Sequence, residues 1–362
     1  MSSIFGDRIK MTIFGESHGP AIGLVIDGLP AGVELDLDTI NLEMARRAPG
    51  RSELSTARKE KDTYIIESGM FSGKTTGMPL CALIPNEDQH SKDYSILKNV
   101  MRPGHADYSG WIKYKGFNDY RGGGTFSGRL TAPLVFMGAV AKQILAARDI
   151  FIGAQITSVG GVEGTDFNPL GETAEVLLGL AKKNLPVLCS AYADAMISAI
   201  MAAKKGKDSV GGTVECMAIG VPAGLGEPYF DSVESRLAHV LFSVPAVKGV
   251  EFGKGFGFST MLGSQANDAM YMSENTVKTK TNNNGGILGG ITNGMPLLFK
   301  VGIKPTPSIA LTQNTVDVSK GCNTTLEING RHDPCIVQRA VPVIEAVTAW
   351  TILDLLLAAN RS

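Results

Sequence analysis

The sequence predicts a chain of mixed α and β structure built as two related halves, and three observations carry that expectation. Short apolar runs bounded by Gly, Pro or Asp interrupt stretches in which apolar residues recur at helical spacing. Glycine is abundant, 43 of 362 residues, and clusters rather than scatters. A tetrapeptide recurs, Gly77-Met78-Pro79-Leu80 and Gly294-Met295-Pro296-Leu297, each time opening an apolar run.

In chain order, strands are expected at Ala21 to Ile26, Thr63 to Ile66, Leu80 to Ile84, Val214 to Ile219 and Leu297 to Ile303. Helices are expected at Asp38 to Arg47, Leu130 to Ala147, Ser190 to Lys204, Ser232 to Phe242 and Val341 to Leu357. The most apolar segments, Leu130 to Ala147 and Ala346 to Ala359, carry Lys142 and Asp354 and are shorter than a clean membrane span, so they read as buried helices. Downstream of each tetrapeptide stand an Arg, a Pro and a long apolar helix, Arg129-Leu130-Thr131-Ala132-Pro133 and Arg339-Ala340-Val341-Pro342. Four identical residues recur by chance, but the matching order of these downstream elements favours a duplicated βα unit. A site between two such halves draws residues from both ends of the sequence.

An apolar content of 44% suffices for a full core, and no Pro/Ser-rich linker or charge block divides the chain, so residues 1–362 are expected to form one catalytic domain. A net charge of -1 speaks against a nucleic-acid or anionic-membrane partner, although local basic clusters can hold a small anion. The cysteines, at 81, 189, 216, 322 and 335, form no C-x-x-C pair, which suggests reduced thiols in a cytoplasm and no metal site. The first residues, Met1 to Arg8, lack the apolar core of an export signal.

Several common motifs fail. Gly69-Met70-Phe71-Ser72-Gly73-Lys74-Thr75 has too few residues between its glycines for a phosphate-binding P-loop. No G-x-G-x-x-G follows a strand, and no H-E-x-x-H is present. Positive charge gathers instead at Arg46-Arg47-Ala48-Pro49-Gly50-Arg51, followed by Arg58, Lys59 and Lys61. The helix macrodipole alone accounts for Arg46 and Arg47 at a helix C-terminus, but not for the loop arginines. Arg102, Arg121, Arg129, Arg331 and Arg339 also lie in or beside unusual motifs, and guanidinium forks suit carboxylate and phosphate oxygens. A small substrate with several negative charges is the expected ligand.

Two histidines stand beside residues that free or fix the backbone, His18 in Gly15-Glu16-Ser17-His18-Gly19 and His105 in Arg102-Pro103-Gly104-His105-Ala106-Asp107. A hydrogen-bonded structural histidine is the bland alternative, but Gly, Pro and Arg neighbours favour proton exchange in catalysis. Asp333, in Arg331-His332-Asp333-Pro334-Cys335, is open to two readings, a helix cap and a catalytic carboxylate. The runs Arg121-Gly122-Gly123-Gly124, Asn284-Gly285-Gly286 and Gly289-Gly290 permit close backbone approach to a flat ring or a phosphate.

Taken together, the His18, His105 and Asp333 windows resemble the signatures of the chorismate synthase family, and the likeness runs over essentially the whole chain. Phe230 to His239, Val244 to Glu251, Gly285-Gly286-Ile287-Leu288-Gly289-Gly290-Ile291 and Lys304-Pro305-Thr306-Pro307-Ser308 are similar to it as well. The resemblance implies an α+β fold, a β-α-β sandwich core with a pseudo-two-fold internal repeat, assembled as a cytoplasmic homotetramer. It implies a carbon-oxygen lyase acting on phosphates. The reaction would be anti-1,4-elimination of phosphate from 5-enolpyruvylshikimate 3-phosphate to give chorismate, the last step of the shikimate pathway toward aromatic amino acids. Reduced FMN would be required with no net redox change.

By the same resemblance His18 would protonate the leaving phosphate, His105 would share a proton with reduced flavin, and Asp333 would work with flavin in removing the C6 hydrogen. Arg47, Arg102, Arg129 and Arg331 would contact substrate. Thr125, Phe126, Ser127, Glu234, Ser235, Gly289, Lys304, Pro305, Thr306, Pro307, Ser308 and Arg331 would contact FMN. Two departures stand out: Thr125 and Phe126 replace the family's usual residues, which favours backbone over side-chain contacts, and Glu53 falls where many members have arginine. A non-catalytic flavin or phosphometabolite sensor is the rival reading. Some family members reduce FMN with NADPH; with no nucleotide fingerprint here, external reduction is expected.

Overall fold

The computed structural model describes residues 3–50, 54, 60–87, 96–328 and 333–359. In its first half, β1 (Ile4–Phe5), β2 (Lys10–Gly15), β3 (Ala21–Asp27), α1 (Leu37–Arg47) and β4 (Ile65–Ser68) are followed by a hairpin of β5 (Met70–Phe71) and β6 (Lys74–Thr75). Then come β7 (Leu80–Pro85), α2 (Asp107–Lys113) and α3 (Thr131–Ala146). The failed P-loop is thus a tight turn, with Ser72 and Gly73 both at positive φ.

The second half begins with β8 (Phe151–Val159), β9 (Val162–Glu163), α4 (Ala174–Leu180), α5 (Ala193–Lys205), β10 (Gly212–Ile219), α6 (Val233–Ser243) and β11 (Val247–Phe252). After α7 (Gly263–Ala266) come the hairpins β12 (Met270–Ser273) with β13 (Thr276–Thr279) and β14 (Ile287–Leu288) with β15 (Ile291–Thr292). The chain closes through β16 (Leu297–Ile303), the hairpin β17 (Gln313–Asp317) with β18 (Cys322–Leu326), and α8 (Val337–Ala359).

Two five-stranded sheets result, ordered β1-β2-β3-β7-β4 and β11-β16-β10-β8-β9, and every pairing within them is antiparallel. Set β2, β3, β4 and β7 against β8, β10, β11 and β16, and both sheets show the same spatial order, first, second, fourth, third. In each half a helix follows the second of these strands, α1 or α6, and a longer one follows the fourth, α3 or α8. Even the register irregularity repeats, between Ile66 and Ser68 where β4 meets β7 and between Val247 and Gly249 where β11 meets β16. The Gly-Met-Pro-Leu sequences open the equivalent strands β7 and β16. The expected internal repeat is therefore present in the topology.

The helices α1, α3, α6 and α8 pack on one another between the sheets, and the inward residues of both sheets share a single apolar core. Ile22, Leu24 and Ile26 enter it from β3, and Ile152, Ala154 and Ile156 from β8. Gly138 lets α3 approach α8 closely, since a Cβ there would fall 2.1 Å from that of Ala346. The windows of highest hydropathy, in 128–146 and in Val337–Ala359, would suit a membrane by length and composition, yet 78% and 94% of them lie buried inside the protein. The charges they carry are satisfied: Lys142 Nζ lies 2.5 Å from Glu345 Oε2, and the Asp354 carboxylate accepts the backbone N–H groups of Asp7, Arg8 and Ile9.

The expected elements recur with small shifts. The last helix begins at Val337 rather than Val341, so Pro342 lies inside it instead of in its first turn and leaves one helical hydrogen bond unmade. Ser190–Tyr192 forms a 3₁₀ turn, and the helix proper starts at Ala193. Arg46 at the end of α1 does more than face the macrodipole: it makes a fork with Glu345 at 2.6 and 2.9 Å and pins α1 to α8.

Candidate active site

A cleft of about 540 Å³ opens where the two halves meet, a volume suited to small-molecule ligands. The first half contributes Arg47, Arg102, His105 and Arg129, and the second contributes Lys248, Lys304, Ser308, Asp333 and Arg339. A site fed from both ends of the sequence is what the repeat leads one to expect. Among the described residues six cationic side chains line it, Arg47, Arg102, Arg129, Lys248, Lys304 and Arg339, against the carboxylates of Glu60 and Asp333. A nearly neutral chain has concentrated positive charge at one place.

Each arginine is held by a specific carboxylate. Arg47, at the C-terminus of α1 and only 1% exposed, donates from Nε to Asp62 Oδ2 at 2.7 Å and also pairs with it through Nη2. Arg129, just before α3, pairs with the other Asp62 oxygen and donates to Asn86 Oδ1 at 2.9 Å and to the carbonyl of Pro85 at 2.9 Å. Burial by itself would raise the Asp62 carboxyl, but the charges and hydrogen bonds of Arg47 and Arg129 outweigh it and hold the group below its ordinary value. Asp62 thereby aligns two guanidiniums along one wall.

Arg102 forms the second cationic corner, with Nη1 donating to Ser308 Oγ at 3.3 Å and a fork to Asp107. Lys304 Nζ donates to the carbonyl of Gly104, closing the β16 end of the cleft onto the His105 turn. Burial and the like charge of Lys248 push the Lys304 ammonium below its ordinary value. Beside it the Thr306 hydroxyl oxygen is buried without a hydrogen-bond partner among the described residues, an acceptor and donor turned to a ligand.

The glycine run explains how two histidines fit around one loop. Gly122, Gly123 and Gly124 have φ of 58°, 91° and 54°, a sequence of conformations closed to bulkier residues. A Cβ on Gly122 would fall 2.1 Å from His18 Cε1, and one on Gly123 would fall 3.1 Å from His105 Nε2. His105 and Gly122 line the cleft, whereas His18, 3% exposed, sits behind Gly122. Ser17 Oγ lies 3.2 Å from the carbonyl of Arg121 and 3.2 Å from His18 Nδ1, which ties the ring to the glycine loop.

Asp333 stands ahead of the last helix, lines the cleft and accepts from Arg339 Nη1 at 2.5 Å. Of the residues expected around flavin, Thr125, Phe126, Ser127, Lys304, Thr306, Pro307 and Ser308 line the cleft, while Pro305 is exposed beside it. Glu234, Ser235 and Gly289 do not line it. They gather at the N-terminal end of α6, where Ser232 caps the helix and the Val233 N–H meets the carbonyl of Gly290, about 15 Å along the helix from the cleft. The other end of α6 and the turn into β11 supply the wall instead, through Ser243, Pro245, Ala246 and Lys248. Arg331, His332, Glu53 and Arg51 lie outside the described residues.

Sequence reasoning also passed over Glu60, Asp62 and Asp107. An acid flanked by arginines in a motif already singled out for its basic residues was the available signal.

Residues 9–357 match the family model described as Chorismate synthase. The chain belongs to the chorismate synthase family. A chorismate synthase of Dehalococcoides mccartyi is 46% identical over 360 residues, 99% of this chain and 98% of that protein. One from Thermococcus gammatolerans is 47% identical over 352 residues, 97% of each. A crystal structure of chorismate synthase superposes with a TM-score of 0.76 at 29% identity, covering 98% of this chain and 93% of the other. The family consists of carbon-oxygen lyases of the shikimate pathway that act on a small molecule and use a flavin, so this α+β chain is an enzyme of aromatic amino acid biosynthesis.

Proposed function

We propose that the cleft binds 5-enolpyruvylshikimate 3-phosphate together with reduced FMN, and that the enzyme eliminates phosphate in the 1,4-anti sense to release chorismate. The observation that carries this reading is the convergence of Arg47, Arg102 and Arg129 with His105 and Asp333 in one cleft. Two carboxylates and a phosphate on one small ring call for several guanidiniums at fixed angles, and buried carboxylates fix them here.

The residues present fit a flavin. The unpaired Thr306 hydroxyl, the cation of Lys304 and the side-chain-free backbone of Gly122 offer hydrogen bonds, charge and a flat approach. Thr125, Phe126 and Ser127 would hold it from one side and Lys304, Thr306, Pro307 and Ser308 from the other. When bound, reduced FMN supplies electron density for an elimination that is redox-neutral overall.

The protein's own groups supply position and proton control. The arginines hold the anionic groups and offset charge developing on the departing phosphate. His18, against the cleft wall at Gly122, is the acid toward that phosphate, and His105 holds a proton beside the flavin. Asp333, steadied by Arg339, assists removal of the C6 hydrogen. The same reading makes residues 1–362 one catalytic domain in a cytoplasmic homotetramer, with FMN reduced externally and no nucleic-acid or membrane partner.

Anaerobic phosphate release from 5-enolpyruvylshikimate 3-phosphate with dithionite-reduced FMN, followed alongside chorismate absorbance, tests the proposal. Equal amounts of both products are expected, and His18→Ala should keep FMN binding while losing turnover. Flavin binding with neither product would overturn the lyase reading in favour of a sensor.

A further inference from the structure

The acid at the start of α2 has no part in the elimination itself, yet it touches two residues of the cleft at once. Gly104, at φ +71°, turns the chain between Arg102 and Asp107, and the His105 N–H closes that turn on the carbonyl of Arg102 at 3.2 Å. The Asp107 side chain therefore folds back over the turn that precedes it. Its Oδ2 accepts from Arg102 N at 3.0 Å and Arg102 Nε at 2.7 Å. Its Oδ1 lies 2.7 Å from Arg102 Nη2 and 2.6 Å from His105 Nδ1.

We propose that Asp107 is a positioning residue that fixes His105 in the tautomer with its proton on Nδ1 and locks that ring to the guanidinium of Arg102. A carboxylate can only accept, so the 2.6 Å contact requires a hydrogen on Nδ1. Arg102 Nη2 also lies 3.1 Å from the same ring nitrogen, a contact that would demand the opposite tautomer; the Asp107 oxygen is nearer, at 2.6 Å, and carries the opposite charge, so it takes the ring hydrogen. Burial would raise the Asp107 carboxyl, but hydrogen bonds and charge from Arg102 and His105 carry it far below its usual range, so the acceptor stays ionised.

The consequence lies at the other ring nitrogen. With Nδ1 committed, Nε2 is the atom through which His105 exchanges a proton, and it faces Gly123, where even a methyl group would come within 3.1 Å. One carboxylate thus sets both the direction of an imidazole's proton and the angle of a guanidinium. The functional value of this coupling rests on the proposed roles of Arg102 and His105 in the lyase reaction; the tautomer does not.

The test is ¹⁵N NMR of the full-length protein labelled in its histidine rings, in alkaline buffer where imidazole is neutral, with His105→Gln used to assign the signal. The intact protein should show His105 protonated at Nδ1 alone, and Asp107→Asn should convert it to a mixture or to the Nε2 form. Turnover of Asp107→Asn should fall by about 100-fold, the scale of losing one proton-transfer group. An Nε2-protonated ring in the unsubstituted protein would overturn the proposal without any variant, so a misfolded Asp107→Asn leaves it decidable. An unchanged pattern in a folded Asp107→Asn would also overturn it. Failure of the lyase assay with the Nδ1 form intact would sink the proposed reaction and spare this assignment.

Discussion

Arg339 Nη1 donates to Asp333 Oδ2 at 2.5 Å while its Nε donates to the backbone carbonyl of Arg47 at 3.0 Å. A single side chain at the start of α8 therefore ties the carboxylate of the cleft to the end of α1. Arg339→Ala removes both bonds and with them one anchor of the Asp333 carboxylate. We expect kcat to drop at least about tenfold with a stability loss of about 1–3 kcal/mol, and Arg339→Lys to recover only part, since an ammonium cannot span both partners. Steady-state kinetics beside thermal unfolding would check this, and wild-type kcat in Arg339→Ala would show that Asp333 needs no anchor.

Gly122 offers a sharper probe of the wall shared with His18. Gly122→Ala places a methyl group 2.1 Å from the His18 ring in a backbone conformation that costs about 1–2 kcal/mol for a residue with a side chain. The imidazole or the loop must move. Turnover should fall by at least about 100-fold while the far-ultraviolet circular dichroism stays native, because the loop lies outside the main sheets and helices. Undiminished turnover would mean that the placement of His18 against the loop is immaterial.

Glu215, buried on the outer face of the second sheet, bears on stability rather than chemistry. Burial raises its carboxyl to about 7, against which hydrogen bonds from the Phe167 N–H and Gln155 work only partly. A folded-state value above the unfolded one means the folded protein binds the extra proton, so this group favours folding at low pH. Its contribution is lost as pH climbs from the unfolded value through about 7. Glu215→Gln should remove a pH-dependent term of about 3 kcal/mol and leave the variant's melting temperature higher than wild type at pH 8 by more than at pH 5. A constant difference between the two pH values would show that Glu215 titrates normally.

The strands read most easily from sequence were those with clear ends, such as β16, which spans the expected Leu297 to Ile303. β8 escaped because it is buried along nearly its whole length, so Phe151 to Val159 shows no alternation, and Gln155 and Thr157 break the apolar run. β2 was hidden by Lys10 and Gly15 at its ends, and β11 by Lys248, Gly249 and Glu251 within it. At the site, the arginines and histidines announced themselves through Gly and Pro neighbours, while the acids that hold them did not. Asp62 earns its place through a pairing with Arg129, 67 positions along the chain, which no local pattern reveals. Glu234 and Ser235, expected near flavin from the family resemblance, stand at the far end of α6 from the Ser243 side of the cleft.

The repeated strand order also bears on the asymmetry of the cleft. One half alone, with its sheet and two helices, would leave an apolar helix face in water, and the two halves cover that face for each other. Nothing in that packing requires the halves to be identical. Arg129, ahead of α3, and Arg339, in the first turn of α8, show what that freedom allowed, for the matched arginines now grip Asp62 and Asp333 respectively. Two identical halves could offer only the same grip twice; this chain offers two different ones to a ligand with no symmetry of its own.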